Sequence, residues 1–137
     1  MTRQKRGNRS ARVIVPRPDR VRRIGNHGFG WIDTRLNGEG WLSVLTPGDI
    51  AVYVFLCLVA DRRGVSWYRR DRIRRALGIG EDEVSAALRR LRELELVAYR
   101  PFGRQASEGF HQVLELPPGG PPPVLFQLGN DYSDGDE

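Results

Sequence analysis

Arginine is the residue type in this sequence best suited to do chemistry. The chain has 22 basic residues, and only Lys5 among them is a lysine. A guanidinium group can hold a phosphate or a guanine edge through two hydrogen bonds and can stack on a base, whereas an ammonium acts as a point charge. A GC-rich coding sequence would produce the same bias. Arginine usage alone therefore leaves nucleic-acid contact and coding bias as open explanations.

The charges are spread unevenly along the chain. Residues 1–23 hold nine basic residues and one acid, residues 24–104 hold thirteen basic and ten acidic residues, and from Gln105 onward there are six acids and no base. A basic head with an acidic tail suggests nucleic-acid contact at the basic end, although a merely solubilising charge is the alternative. We interpret residues 1–23 as a flexible basic arm that can follow a DNA groove. Its candidate DNA-binding residues are Arg3, Lys5, Arg6, Arg9 and Arg12.

Motifs of enzymes are weak in this sequence. His27 and His111 are the only histidines, and neither has a metal-binding spacing such as HExxH. There is no GxxxxGK[ST] phosphate loop, and GNHGFG at 25–30 is a poor glycine-rich fingerprint with no strand before it. His111 is expected to pack in a strand or face solvent. We predict a non-enzymatic protein with no metal and no cofactor.

The single cysteine and the hydropathy pattern bear on the compartment. Cys57 lies in an apolar run, so it is interpreted as a small buried hydrophobe in a reducing compartment. The N-terminus has charge but no apolar segment typical of a signal peptide. The longest apolar run, Ile50 to Ala60, has eleven residues, whereas a membrane span needs about 20. We expect a soluble, cytoplasmic, nucleoid-associated protein that does not contact membranes.

Helix signals begin at Thr46, which can cap a helix that starts at Pro47 and has Asp49 in its first turn. The following apolar stretch predicts a buried first helix over 47–61. A very short strand at 65–66 and a second helix over 68–77 are expected next. Gly78 should end the second helix in a left-handed conformation.

The third helix, over 80–94, has the clearest periodicity. Three acidic residues in its first turn interact favourably with the positive end of the helix dipole. Apolar residues follow at the i, i+3, i+4, i+7 positions of one face. Strands are predicted over 96–100 and 110–116, joined by the polar, glycine-containing segment PFGRQASEG. The fold class expected from these elements is α+β, mainly α.

The other parts of the chain complete the expected organisation. Residues 24–45 combine glycine with many aromatic and aliphatic residues, which predicts one or two helical turns packed on the main domain. Residues 46–116 form that domain. Residues 117–137 form a Pro/Gly linker and an acidic tail, in which 121–137 could dock a protein partner.

The order of elements carries a resemblance to a known fold family. LTPGDIAVYVFLCLVADRRG at 45–64 and IRRALGIGEDEVSAALRRLRELELVAYR at 73–100 resemble the winged helix-turn-helix family. The most characteristic part is a helix ending in Leu-Gly, an amphipathic helix, and a leucine-rich step into a hairpin. This pattern is common in bacterial repressors, replication initiators and mobile-element proteins. The resemblance implies a three-helix core with a β-hairpin wing, and double-stranded DNA as the partner.

The resemblance also implies which residues would contact DNA. The third helix would read the major groove with its exposed Ser85, Arg89 and Arg90. The second helix would place arginines on phosphates, and the wing would contact the backbone or minor groove. These further candidates are Arg69, Arg70, Arg74, Arg75 and Arg104.

Two features oppose this interpretation. Glu81, Asp82 and Glu83 begin the helix that would approach DNA, although acids there also suit ordinary helix-start chemistry. The wing has Arg104 as its one basic residue, with Glu108 close by. The arginines of the second helix can equally be a solvated face.

We therefore predict a DNA-binding protein of regulation, replication or mobile-element maintenance. A protein-interaction adaptor and an RNA-binding protein remain as alternatives. Many proteins of this fold dimerise, so a homodimer on a palindromic site is a further expectation.

Overall fold

The computed structural model describes residues 12–123, and these form a mainly helical α+β domain. The candidate DNA-binding residues at positions 3, 5, 6 and 9 and the tail from residue 124 onward lie outside the described residues. In chain order the helices are α1 (Arg35–Gly38), α2 (Trp41–Val44), α3 (Pro47–Val59), α4 (Arg70–Leu77) and α5 (Glu81–Glu93). The strands are β1 (Val65–Ser66), β2 (Val97–Pro101) and β3 (Gly109–Val113).

Helix α3 begins as the sequence predicts. The Thr46 hydroxyl accepts from the backbone N–H of Asp49 at 3.0 Å, and the Asp49 carboxylate accepts from the N–H of Thr46 at 3.0 Å, which forms a capping box. The helix ends at Val59, two residues before its predicted end. The reason is that the Asp61 carboxylate accepts from the N–H groups of Arg63 and Val65 and so folds residues 61–65 into a turn.

Helices α4 and α5 are joined by the predicted left-handed turn. Gly78 has a φ of 70°, and its N–H donates to the carbonyl of Arg74. Helix α4 begins at Arg70, two residues after its predicted start. The carboxylate of Glu108 accepts from the N–H of Arg70 at 3.1 Å and therefore fixes the first helical residue.

The three strands form an antiparallel sheet in the order β1-β3-β2. Strands β2 and β3 pair Tyr99 with His111 and Arg100 with Phe110, and β1 pairs Ser66 with His111 on the other edge of β3. The predicted strand 110–116 ends at Val113. Leu116 nevertheless reaches the core, since only 5% of its surface is exposed.

The core lies between α3, α5 and the inner face of the sheet. Its largest side chain is Trp41, which has no exposed surface, and Leu36 and Leu45 join it from the segment before α3. The one or two helical turns expected in residues 24–45 are therefore present as α1 and α2. Further along, Gly120 lies against the backbone of Glu39, so the segment after β3 also returns to this region.

Three core helices followed by a two-stranded hairpin, with a short third strand after the first core helix, constitute the winged helix-turn-helix fold, as predicted. Within residues 12–123 no helix has both the length and the apolar content required to cross a bilayer.

Candidate nucleic-acid interface

Helix α5 has one buried face and one solvent face. Val84, Ala87, Leu88 and Leu91 are buried against the core. A rotation of about 100° per residue places Asp82, Ala86, Arg89 and Glu93 on the opposite face. Of these four, Asp82, Arg89 and Glu93 are exposed and Ala86 is half-buried. Arg89 is thus the one cation on this face of α5.

Arg90 does not share that face, and its predicted exposure is wrong. Its Nε donates to Asp49 Oδ2 at 2.9 Å and its Nη2 donates to the carbonyl of Val44 at 2.9 Å. The side chain is 25% exposed and that of Asp49 only 3%. Because the buried carboxylate needs a compensating charge, Arg90 is committed to joining α5 to the start of α3.

Arg70 joins three elements. Its guanidinium donates to Glu108 Oε2 at 3.4 Å, to the carbonyl of Ser107 at 3.1 Å and to Ser85 Oγ at 3.3 Å. Both Arg70 and Ser85 are half-buried, whereas the sequence predicts Ser85 on the exposed face of the helix. The start of α4, the first half of α5 and the end of the wing loop consequently meet at Arg70.

Arg74 and Arg75 lie on α4 and share one carboxylate. Asp71 pairs with Arg74 at 3.4 Å and with Arg75 at 2.8 Å; the side chains of Asp71 and Arg75 are exposed, and that of Arg74 is 39% exposed. Exposed pairs of this kind contribute only about 0–1 kcal/mol. The two guanidinium groups can therefore exchange Asp71 for an external anion at little cost.

Arg69 and Arg104 are exposed, as is Arg89, and none of the three forms an ion pair within residues 12–123. Arg69 precedes Arg70 in the chain, and Arg104 lies in the loop that ends at Ser107 and Glu108. Arg89 lies one helical turn after Ser85. Each of these three predicted cations therefore lies on one of the three elements that meet at Arg70.

Three further arginines, on β2, α5 and α4, are not among the candidates predicted from the sequence. Arg100 is exposed on β2, Arg92 lies 5.3 Å from the ring centre of Tyr99, and Arg72 lies 5.0 Å from that of Tyr68. Strand alternation could have found Arg100, because it places residue 100 on the face opposite Val97 and Tyr99. The two cation–π contacts have no comparably clear signal in the sequence.

His111 is buried in the sheet, as one of its two predicted placements requires. It is 3% exposed and its ring lies 5.1 Å from that of Tyr99. Burial, reinforced by the charge of Arg92, lowers the pKa of His111 to about 4. Its Nδ1 has no hydrogen-bond partner within the described chain. His111 is therefore a neutral packing residue at pH 7.

At the N-terminal boundary, Arg12 is exposed. Further along, Arg17 and Asp19 form an exposed ion pair at 2.7 Å. The hydrogen bonds from Arg17 lower the pKa of the Asp19 carboxyl. Of the cations proposed for the basic arm, Arg12 alone falls within the described residues.

A cavity of about 610 Å³ lies between residues 29–33, the C-terminal half of α3 and residues 113–116. Tyr53 and Cys57 form part of its wall. Burial raises the pKa of both the Tyr53 phenol and the Cys57 thiol. Cys57 is 7% exposed, which confirms its prediction as a buried hydrophobe.

Two solved structures are similar to this chain. One is a zinc-responsive MarR family member, ZitR of Lactococcus lactis, with 17% identity and a TM-score of 0.41 over 66% of this chain and 52% of that one. The other is the adhesin competence repressor AdcR of Streptococcus pyogenes, with 15% identity and a TM-score of 0.41 over 74% of this chain and 70% of that one. This chain thus spans about half the length of the Lactococcus protein. No protein-family model and no curated protein matches the sequence.

Proposed function

We propose that the protein is a transcription regulator that binds double-stranded DNA, with α5 in the major groove and the cations of α4 and the wing on phosphates. The observation that carries this proposal is the patch around Arg70, where Arg69, Arg89 and Arg104 are exposed and lack ion pairs within residues 12–123. Three separate elements contribute these side chains. This is the arrangement by which a winged helix grips a duplex on both sides of its recognition helix.

The acids near the patch are partly accounted for by contacts within the protein. Glu108 is held by Arg70, so its charge is compensated. The Glu83 carboxylate packs over Gly48 in the first turn of α3, where the positive end of the helix dipole favours it. Asp82 and Glu93 remain beside Arg89 on the solvent face of α5. We therefore propose that phosphate contacts dominate affinity and that base contacts are confined to Arg89 and its neighbours.

The basic arm belongs to the same proposal. Arg3, Lys5, Arg6, Arg9 and Arg12 would follow a groove beside the site, adding charge without reading sequence. Each phosphate neutralised by the arm should add to the dependence of binding on salt.

The test is a binding titration by fluorescence anisotropy over a salt series, with a duplex selected from a random library and an unselected duplex. Removal of residues 1–23 should weaken binding to both duplexes and flatten the plot of log affinity against log salt. Arg89→Ala should instead reduce the preference for the selected duplex by about tenfold, since one good base contact contributes about 1–3 kcal/mol.

A matched control is Arg62→Ala, which removes the same charge from an exposed residue that lies in the turn after α3 and outside the patch. It should leave the preference intact. If the intact protein fails to bind either duplex at low salt, DNA binding is wrong and a protein-interaction adaptor takes its place. A selected site with two inverted halves would support a homodimer. Roles in replication or mobile-element maintenance would use the same contacts.

A further inference from the structure

The outer face of the wing sheet carries three exposed aromatic rings, Trp67, Phe102 and Phe110, which we name the aromatic platform. Their exposed fractions are 57%, 40% and 41%. The ring centres of Trp67 and Phe110 are 6.4 Å apart and those of Phe102 and Phe110 are 5.0 Å apart, both in edge-to-face geometry. The rings thus form a continuous cluster that nothing in the described chain covers.

The sheet register places this cluster outside the core. Tyr99 and His111 form a cross-strand pair on the inner face, so the next pair, Arg100 and Phe110, must face outward. The inner pair is buried or half-buried, whereas Arg100 and Phe110 are both exposed. The folding of this domain therefore does not explain why large aromatic residues occupy the outer positions.

The charge around the platform is positive. Arg69 follows Trp67 by two residues, Arg100 pairs with Phe110 across the strands, and Arg104 follows Phe102 by two residues. Residues 64–70 and 96–114, which build this sheet and its loop, contain one acid, Glu108. That acid is half-buried and bound by Arg70. A phosphodiester backbone that crosses the platform would therefore meet cations and no free carboxylate from these segments.

We propose that the aromatic platform binds an unpaired nucleic-acid strand by stacking about two or three of its bases on Trp67, Phe102 and Phe110 while the surrounding arginines hold its phosphates. Every base offers a π-face, so this recognition tolerates many sequences. A duplex cannot occupy the platform in this way, because its bases are already stacked on one another. The function goes beyond duplex binding by α5, although it shares Arg69 and Arg104 with that proposal.

The same chemistry suits single-stranded DNA and single-stranded RNA. Arg69, Arg100 and Arg104 beside the rings favour the strand, because its phosphodiester backbone supplies an anion next to every base. The probes are ten-nucleotide oligo(dT) and oligo(U), and a duplex serves as the comparison.

The experiment uses the full chain with Trp31→Phe. Of the two tryptophans that remain, Trp67 is exposed and Trp41 is buried. Stacking should quench the Trp67 fluorescence on addition of either oligonucleotide. Phe110→Leu should weaken strand binding by about tenfold or more, since each stacked base contributes about 1–3 kcal/mol. The same variant should leave duplex binding unchanged, which separates this proposal from the function of α5.

Phe29→Leu is the matched control, because Phe29 is also exposed but lies outside the platform. It should leave strand binding unchanged, and circular dichroism should show all variants folded. Binding of either oligonucleotide with these effects supports the proposal. Absence of binding at low salt, or equal binding by Phe110→Leu and the parent chain, overturns it. A concentration-dependent dimer that Phe110→Leu dissociates would assign the surface to self-association and overturn it as well.

Discussion

Arg89 and Arg90 are adjacent arginines with different environments. Both follow from a pattern that puts polar residues on one side of α5, and the sequence alone assigns them the same exposure. The difference arises because Arg90 meets the buried carboxylate of Asp49, which lies 41 residues earlier in the chain. Helical periodicity predicts the direction in which a side chain leaves the helix axis. It cannot identify the residue from elsewhere in the chain that lies in that direction.

His111 provides a prediction about pH. Its pKa is about 4 in the folded protein, where Tyr99, Arg92, Glu108 and Arg70 surround it, and about 6.5 in the unfolded chain. Between pH 6.5 and 4, His111 is therefore protonated in the unfolded state and neutral in the folded state. The free energy of unfolding should fall as the pH drops from 6.5 to 4, by about 3 kcal/mol in total for this group.

The measurement is urea denaturation at several pH values between 7 and 5.5, a window in which ordinary carboxyl groups, with pKa values of about 4, stay ionised. His111→Leu should abolish most of the slope. His27→Leu is the control, since His27 is exposed, and it should retain the slope. An unchanged slope in His111→Leu would assign the pH dependence to other groups.

At the scale of elements, the sequence predicts helix interiors better than their ends. Helix α5 is predicted to within one residue at each end, because its acids, its apolar stripe and its final leucines all agree. The start of α4 is missed since it depends on Glu108, which lies 38 residues away from Arg70. Strand β3 is predicted to extend to residue 116 because its apolar residues continue after its hydrogen-bonded pairing stops at Val113.

The start of the sheet depends on Gly64. Its φ is 86°, and a Cβ at this position would lie 2.6 Å from the carbonyl oxygen of Val113. Gly64→Ala should lower the free energy of unfolding by about 2 kcal/mol or more, because a left-handed alanine costs about 1–3 kcal/mol before the overlap is counted. Thermal and urea denaturation followed by circular dichroism would measure this loss.

Gly103 is the matched glycine, since it lies in the wing loop and an added Cβ would meet nothing within 4 Å. Gly103→Ala should change stability by less than about 0.5 kcal/mol. Equal losses in the two variants would contradict the role assigned to the backbone at Gly64.

At the scale of the whole molecule, the segment before α3 shows how far composition can lead. Its aromatic content predicts packing on the domain, and α1 and α2 provide it. Composition cannot say which tryptophan enters the core: Trp41 has no exposed surface and Trp31 is 74% exposed. The choice depends on the path of the chain, because Gly30 lies against the backbone of α3 at Cys57 and Leu58 and leaves the neighbouring side chain outside.

These two tryptophans make a paired prediction. Trp41→Ala should lower the free energy of unfolding by about 3–5 kcal/mol, as expected for the loss of a fully buried large side chain. Trp31→Ala should lower it by less than about 1 kcal/mol. Urea denaturation followed by circular dichroism measures both, and similar losses would show that residues 31–45 do not contribute to the core as described.

The contact of Arg70 with Glu108 has a consequence for how the sequence can evolve. The Glu108 carboxylate accepts from the first N–H of α4 and also pairs with the Arg70 side chain. A substitution at 108 alone would leave the Arg70 charge without its partner and release the first turn of α4. A substitution at 70 alone would leave the Glu108 charge without its partner. Among descendants of a common ancestor, substitutions at 70 and 108 should therefore occur together, while positions 69 and 104 vary independently. If the two residues are replaced one after the other, the intermediate sequence lacks the contact that joins the wing to α4.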